Sequence, residues 1–439
     1  MMKAYLLVLI GVGVASSAAA DVVPLAELEK RALERHVSLL AAEAQERAAQ
    51  AGVREAWSNY MPHVGVQIDA NAQPGRNLYR VRPVDGVDDD DDIFVQGANA
   101  FGKNVKAEVR RRAVRPVFRT TALLQLTATL YDFGRTAAGV AVSRARLEAT
   151  KAENDVTRAE VVAVVRGAYL TWLSAVELHR IAADASADGR QRSERVSALI
   201  SEGARPRGDL APVEADRLLS QLELERAIAD MEQARMALEY AVGESLAEQA
   251  EPDLKLLETQ ATIDSTRPDP HLRLLVFQRS VFEATARLQR KAGMPALSAG
   301  VGGGFGLQPN PSLKFLPTYQ VGVGLSIPIW DGGGSDASAD ATEARVDELR
   351  LRLEDAEAER NKEHAKAALD AEHALKRQVT AQQLIEVCKS RVTDTETGYE
   401  MGAMQFDQVQ QARSMLRRAE TELVMAKVSH TEALLRTAP

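Results

Sequence analysis

Residues 121–135 read TALLQLTATLYDFGR, and residues 321–334 read VGVGLSIPIWDGGG. Within each stretch, apolar side chains alternate with mostly polar residues or glycine until an aromatic residue and an aspartate end the pattern. A period of two predicts a β-strand with one apolar face, and the glycines that follow predict a tight turn. No proline occurs from 134 to 203 or from 334 to 402, which favours a long helix after each turn. The chain therefore carries the same strand-to-helix passage twice.

The two passages belong to an internal repeat. Its landmarks are the Met-Pro pairs at 61–62 and 294–295, the aromatic-Asp pairs at 131–132 and 330–331, and the glycines at 203 and 402. The last two landmarks are each offset by 199 positions, whereas the Met-Pro pairs are offset by 233. The difference of 34 falls between Pro62 and Tyr131, so the first half has a longer loop there. That loop contains five aspartates, Asp88 to Asp92, which predict a solvated acidic loop or, alternatively, a site for divalent cations.

Each half predicts two strands and a long helical hairpin. The strand runs are 64–71 and 122–131 in the first half, and 297–307 and 320–329 in the second. Tilted strands of about ten residues can cross a hydrocarbon layer. The outgoing helices at 134–203 and 334–402 would each be about 100 Å long, and they return at 212–242 and 404–436. A further helix leads into each half, from Leu25 to Tyr60 and from His271 to Gly293.

Composition excludes several function classes. The 439 residues include 62 acidic and 54 basic side chains, and the net charge of −8 gives no basic surface for nucleic acid. A single cysteine, Cys388, cannot form an intrachain disulfide or a cysteine metal cluster. The seven histidines lack metal-ligand spacing, and no catalytic arrangement of side chains stands out. We therefore expect no cofactor, no metal site and no enzymatic activity.

The N-terminus has the pattern of an export signal. A lysine near the start precedes an apolar run and then the small residues that favour cleavage before Asp21. Residues 1–20 are therefore expected to be a signal peptide. No later stretch reaches the roughly 18 to 20 apolar residues of a membrane-spanning helix, so we expect none in the mature protein.

Four strands of this length cannot form a membrane sheet alone. Open sheet edges would leave backbone N–H and C=O groups unpaired in lipid, at a cost of several kcal/mol for each group. Closure must therefore come from other chains, and two, three or four copies would give 8, 12 or 16 strands. Physical reasoning alone does not choose among these numbers.

Together, the signal peptide, the repeat, the aromatic-Asp turns and the Gly-x-x-x-x-x-Asp-Leu stretch from Gly203 to Leu210 resemble the TolC family of outer membrane efflux proteins. The resemblance covers essentially the whole mature chain. It implies an α+β membrane protein: a homotrimer whose four strands per chain form one 12-stranded transmembrane β-barrel in contact with outer membrane lipids. The barrel would continue into a long periplasmic α-helical coiled-coil barrel. The function implied is a passive exit duct of a tripartite efflux or type I secretion system, docked on a periplasmic adaptor protein and an inner-membrane transporter.

The resemblance also implies a gate at the periplasmic turns. Tyr399 matches the gate tyrosine of the family, and Asp209 matches the turn of the first half. The positions of the family's acidic ring fall on Gln408 and Gln411, with Asp407 one residue early. This departure argues against an acidic, cation-selective constriction, although glutamines can still close a gate through hydrogen bonds.

The same turns are the predicted docking tips for the adaptor. The residues implied are Gly203, Arg205, Pro206, Gly402, Met404 and Asp407. The simpler alternative is that the two glycines only cap helix C-termini.

The predicted boundaries are 1–20 for the signal peptide, 21–243 for the first repeat, 244–269 for a linker or equatorial segment, and 270–439 for the second repeat. The main alternative function is a soluble periplasmic coiled-coil adaptor or scaffold protein. That alternative explains the helices but leaves the four alternating strands and the repeat spacing unexplained. The exported substrate, the class of pump and the gate state cannot be derived from the sequence.

Overall fold

A computed structural model describes residues 21–73, 80–83, 97–98, 104–105, 107–110, 117–258, 269–309 and 313–437. The predicted signal peptide and the Asp88 to Asp92 run lie outside the described residues. The chain divides into two units. The first, mainly helical, comprises the described parts of 1–51, 144–283 and 343–439. The second comprises the described parts of 52–143 and 284–342 and contains the main sheet.

Seven α-helices form in the described residues. They are α1 (Leu25–Arg35), α2 (Val37–Ser58), α3 (Arg135–Ser201), α4 (Leu210–Val242), α5 (Pro270–Arg290), α6 (Gly334–Glu400) and α7 (Phe406–Thr437). Helices α3 and α6 have 67 residues each, as the proline-free stretches predicted. Short 3-10 turns lie at Arg207–Asp209 and Leu254–Glu258.

The prediction of one continuous helix from Leu25 to Tyr60 was wrong at His36. The backbone of His36 is extended, with φ −63° and ψ 129°, so α1 ends there and α2 begins. The backbone N–H of Ser38 donates to Nδ1 of His36 at 3.3 Å. A side chain that accepts a hydrogen bond from the second helical N–H acts as an N-cap. His36 therefore starts a new helix instead of continuing the first.

The described strands number ten. They are β1 (Asp21–Val23), β2 (His63–Gln73), β3 (Arg80–Pro83), β4 (Gly97–Ala98), β5 (Asn104–Val105), β6 (Ala107–Arg110), β7 (Val117–Tyr131), β8 (Ala250–Pro252), β9 (Ala296–Pro309) and β10 (Leu313–Ser326). Strands β10, β9, β7 and β2 form one antiparallel sheet in that order. The remaining strands form two-stranded pairs: β1 with β8, β3 with β6, and β4 with β5.

Strand β10 ends at Ser326, three residues before the predicted end of the alternation at Ile329. Ser326 pairs with Ala296, the first residue of β9, so the partner strand provides no residues that could extend the ladder further.

The register of the four-stranded sheet gives it two different faces. Val66 of β2 pairs with Leu124 of β7, and Leu126 of β7 pairs with Val301 of β9, which in turn pairs with Val321 of β10. These apolar side chains share one face and are exposed, with 77% exposure at Val321. The opposite face carries glycines and polar residues at the intervening positions: Gly65, Gln125, Gly302 and Gln320 are level with one another. The alternation seen in the sequence is therefore a real division into an apolar and a polar face.

Asp132 and Asp331, the aspartates of the two aromatic-Asp pairs, cap the N-termini of the long helices α3 and α6. The carboxylate of Asp132 accepts backbone N–H bonds from Gly134 at 3.1 Å and Thr136 at 2.6 Å. Asp331 accepts in the same way from Gly333 at 3.0 Å and Ser335 at 2.8 Å. These bonds satisfy donors that a helix N-terminus leaves free. The repeated aromatic-Asp motif is thus a helix cap.

The main core of the helical unit surrounds α3. Tyr169, Trp172 and Leu173 are buried, and the Tyr169 hydroxyl donates to the carbonyl of Val23 at 3.0 Å. Arg166 links α3 to α1 and α7, because it pairs with Glu29 at 2.7 Å and donates to the carbonyl of Leu435 at 3.2 Å. The N-terminal helix and the C-terminal helix therefore meet on the same part of α3.

Within the described residues, α3 contains a stretch that is apolar enough to cross a membrane by length and composition alone, contrary to the sequence expectation. Buried residues make up 39% of that stretch. A core helix passes the same test, and the burial of Tyr169, Trp172 and Leu173 gives α3 such a core role.

Candidate pore entrance at the helix turns

The two turns that join the long helices have the same backbone geometry. Gly203 and Gly402 adopt φ values of +79° and +82°. Each donates its N–H to a carbonyl three residues back, and the following alanine donates to a carbonyl five residues back. This pattern is the Schellman motif, in which glycine adopts a left-handed conformation at low cost. The capping interpretation of these glycines is therefore correct, and it is compatible with a role for the turns in an entrance.

Tyr399 lies where the two turns meet. It comes from the last turn of α6, and its hydroxyl donates to Oδ2 of Asp209, at the start of α4, over 3.1 Å. The guanidinium carbon of Arg205 stacks over its ring, 3.9 Å from the centroid. The ring of Phe406 meets it edge-on with centroids 5.8 Å apart. The tyrosine thus joins the second helical hairpin, α6–α7, to the turn of the first, α3–α4.

Apolar residues complete the wall around the tyrosine. Val196 of α3, Val213 of α4 and Val409 of α7 are buried with Tyr399 and Phe406 in one cluster. All four long helices therefore contribute to the packing at this end. Dispersion and burial hold the ring in place, while the hydroxyl provides a directional bond.

The electrostatics of the site favour the neutral phenol. Burial, the hydrogen bond to Asp209 and the negative charge of that carboxylate together raise the pKa of Tyr399 to about 12. Arg205 acts in the opposite direction and lies 4.0 Å from Oδ2 of Asp209. The hydroxyl proton is consequently available for the bond to Asp209 at neutral pH.

Ion pairs join neighbouring helices close to the two turns. Arg192 of α3 donates to Asp216 of α4 at 2.8 Å, and both side chains are nearly buried. Arg195 of α3 reaches Glu400 of α6 at 3.2 Å, and both of these are about half exposed. The first pair lies within one hairpin, and the second joins the two hairpins.

The structure brings together only some of the residues predicted for the gate. Tyr399, Asp209 and Arg205 form one cluster, although Arg205 was predicted as a docking residue. Gln408 and Gln411 lie on an exposed face of α7. Their part in a gate stays a prediction.

The other predicted docking residues lie at the surface or against their own turn. Gly203, Pro206, Gly402 and Asp407 are exposed, whereas Met404 is partly buried. A Cβ atom at Gly398 would come within 2.9 Å of the Met404 sulfur, so Met404 is packed on α6. Their role in docking stays a prediction.

Sequence reasoning missed polar residues that link the helices near the two turns. Arg192, Asp216 and Arg413 did not belong to any motif, and each pairs with a residue on a different helix. Comparing the two halves at the 199-residue offset would have drawn attention to Arg413, because the first half has Glu214 there.

Comparison with known proteins identifies the class of molecule. The sequence model of the family described as outer membrane efflux protein matches residues 28–244 and 254–437. The chain belongs to this outer membrane efflux protein family. No curated protein sequence matches it.

Solved structures share the fold at low sequence identity. The outer membrane protein VceC of Vibrio cholerae shares 16% sequence identity with this chain and superposes with a TM-score of 0.71. The match covers 94% of this chain and 95% of VceC. The CmeC outer membrane channel of Campylobacter jejuni is 15% identical with a TM-score of 0.70, covering 94% and 85%. The open MtrE outer membrane channel of Neisseria gonorrhoeae is 18% identical with a TM-score of 0.70, covering 93% and 87%. These structures confirm the predicted TolC-like fold, and the family match confirms the outer membrane location and disfavours the soluble adaptor alternative.

Proposed function

We propose that three copies of this chain form a 12-stranded barrel in the outer membrane and act as the exit duct of a tripartite efflux or type I secretion system. The helical hairpins extend into the periplasm, where a periplasmic adaptor protein and an inner-membrane transporter deliver the substrate. The helix turns form the entrance, and the bond between Tyr399 and Asp209 holds it closed. Gln408 and Gln411 add an uncharged, hydrogen-bonding lining.

One observation carries the proposal of a membrane barrel: the four-stranded sheet exposes an apolar face and has two open edges. In the described part of the chain, β2 and β10 are those edges. Val64, Val66 and Ile68 of β2 are each more than 65% exposed, as are Val321 and Val323 of β10. Such a face is costly in water but favourable in lipid, where open edges must pair with another chain.

The gate is supported by the contacts of Tyr399. Its hydroxyl makes the hydrogen bond that crosses from the second hairpin to the turn of the first. If the hairpins separate to open the entrance, this bond and the stacking of Arg205 on the ring are both lost. Removal of these contacts should therefore favour the open state.

Cell fractionation and single-channel recording test the proposal. We expect the protein in the outer membrane as an SDS-resistant oligomer that conducts weakly in planar bilayers. Tyr399→Ala and Gln408→Ala should each raise the single-channel conductance. Release by osmotic shock would contradict the membrane location, and unchanged conductance in both variants would contradict the gate.

A matched pair of conservative changes isolates the hydroxyl. Tyr399→Phe keeps the ring contacts and removes only the bond to Asp209, whereas Tyr240→Phe removes a hydroxyl from a side chain on α4 that is 86% exposed. Only the first should increase conductance. Equal effects would show that the tyrosine bond has no special part in closure.

A further inference from the structure

Arg413 connects the two helical hairpins and pairs with Glu396, three residues before Tyr399 on α6. It lies on α7, and its Nη1 donates to Oδ2 of Asp188 on α3 at 2.6 Å. Its guanidinium also pairs with Glu396 on α6. The Arg413 side chain is 19% exposed, while that of Asp188 is 53% exposed. Because α3 belongs to the first hairpin and α6 and α7 to the second, one guanidinium links both.

A second side chain on the same face of α7 makes a parallel connection. Gln410 precedes Arg413 by three residues, a spacing that places both on one side of a helix. Its Nε2 donates to Oδ1 of Asp216 on α4 at 3.5 Å, a long hydrogen bond. Asp216 is only 6% exposed and also accepts from Arg192 at 2.8 Å. Thus α7 contacts both helices of the first hairpin through polar groups.

The link breaks the symmetry of the internal repeat. At the 199-residue offset, Arg413 corresponds to Glu214 and Tyr399 to Ile200. Glu214 bonds to Ser193 and Arg217, and both of these lie in its own hairpin. The two turns have the same backbone geometry, yet only the second hairpin extends a guanidinium from this position to the other hairpin. The departure therefore occurs where the hairpins contact each other.

The surrounding charges make the link sensitive to separation of the hairpins. Burial lowers the pKa of Arg192, and the positive charge of Arg413 lowers it further, while Asp216 opposes both effects. The two arginines therefore belong to one compact cluster. Moving α7 away from α3 and α4 would break the contact of Arg413 with Asp188 and that of Gln410 with Asp216. A partly buried charge that loses its partner is unfavourable.

We propose that Arg413 is a positioning residue of the gate: it holds the second hairpin, and with it Tyr399, against the first hairpin in the closed entrance. The guanidinium bond to Asp188 then acts together with the tyrosine bond to Asp209 and with the Arg195–Glu400 and Gln410–Asp216 contacts, which also join the hairpins. This inference rests on the proposed function, because it assumes that the turns form the entrance of a channel.

The test is the fraction of time that single channels spend in the high-conductance state. Arg413→Met keeps much of the side-chain length and removes the charge, and we expect this fraction to rise about tenfold, as for loss of one charge-assisted hydrogen bond. Asp188→Asn should have a similar but smaller effect, because it removes the negative charge of the pair but keeps an amide oxygen that can accept from Arg413. Arg413→Lys should restore most of the closure. Arg418→Met removes a cation from an exposed position on the same helix and should change nothing.

Two further readouts separate a gating role from a general loss of stability. The double variant of Arg413→Met and Asp188→Asn should open no more than Arg413→Met alone, because both changes remove the same link. The open fraction of the wild type should rise with salt, since screening weakens a partly exposed ion pair, and Arg413→Met should reduce that dependence. If Arg413→Met does not yield an SDS-resistant oligomer, Asp188→Asn provides the test, because it changes a half-exposed side chain.

The outcomes distinguish the two proposals. Absence of conductance in the wild type would contradict the channel itself. Conductance that rises in Tyr399→Phe but stays at the wild-type level in Arg413→Met and Asp188→Asn would leave the channel intact and overturn the role of Arg413.

Discussion

At the scale of single residues, Tyr399 makes contacts that the sequence predicts only in part. The family resemblance marked Tyr399 and Asp209, and their side chains are hydrogen-bonded at 3.1 Å. Arg205 was predicted to face an adaptor, yet it stacks on the Tyr399 ring, 194 residues further along the chain. Contacts over such separations depend on how two hairpins pack, which no local pattern encodes. The same reason explains why Arg413 and Asp188 were missed.

The environment of Tyr399 predicts an unusual titration. Its pKa is raised from 10 to about 12, so the protonated phenol is favoured in the folded protein. The resulting stabilisation is fully present below pH 10 and is lost as the pH rises from 10 towards 12. The ultraviolet titration of the wild type minus that of Tyr399→Phe gives the tyrosinate absorbance of Tyr399 alone. This absorbance should therefore appear mostly above pH 11. A difference between wild type and variant that is centred near pH 10 would contradict the buried, hydrogen-bonded phenol.

At the scale of elements, period and composition predicted most of the structure. The alternation gave both faces of the four strands, and the proline-free stretches gave α3 and α6. The errors occurred where local hydrogen bonding overrides the pattern. His36 caps a new helix with its own ring, and β10 ends opposite the first residue of its partner strand β9, although the apolar positions around both sites continue the expected pattern.

The Schellman turns predict a strong dependence on glycine. Gly402→Ala would place a Cβ atom at φ +82° and should destabilise its turn by about 1 kcal/mol. Gly139 lies inside α3 with open space around its Cα, so Gly139→Ala should be neutral or stabilising. The temperature at which the SDS-resistant oligomer dissociates measures both. A lower temperature for Gly139→Ala than for Gly402→Ala would contradict this assignment of strain.

The helix caps predict a graded series at Asp331. Asp331→Ala removes the acceptor for Gly333 and Ser335 and should cost about 1 kcal/mol, whereas Asp331→Asn keeps an acceptor and should cost less. The oligomer dissociation temperature is again the measurement. Equal losses in the two variants would mean that the aspartate does not act through these hydrogen bonds.

At the scale of the whole molecule, the chain is understood as an incomplete part of an assembly. Each copy provides a sheet with an exposed apolar face and two open edges, and the long helices have further exposed apolar residues, such as Leu218, Leu222 and Met236 on α4. The sequence predicted that other chains must complete the sheet, but could not give their number, because 8, 12 and 16 strands are all permitted. That number came from the family resemblance.

Crosslinking the sheet edges tests this central claim most directly. In a Cys388→Ser background, each variant would carry one cysteine in place of Val66 on β2 and a second in place of Val321, Val323 or Leu325 on β10. Outer membranes that contain each variant would then be treated with an oxidant. Leu124 on the interior strand β7 replaces Val66 in the control. We expect one β2–β10 combination to yield a covalent species of three chains and the control to remain monomeric. A series of crosslinked species that ends at two chains or extends to four, or no crosslink in any combination, would contradict the trimeric barrel.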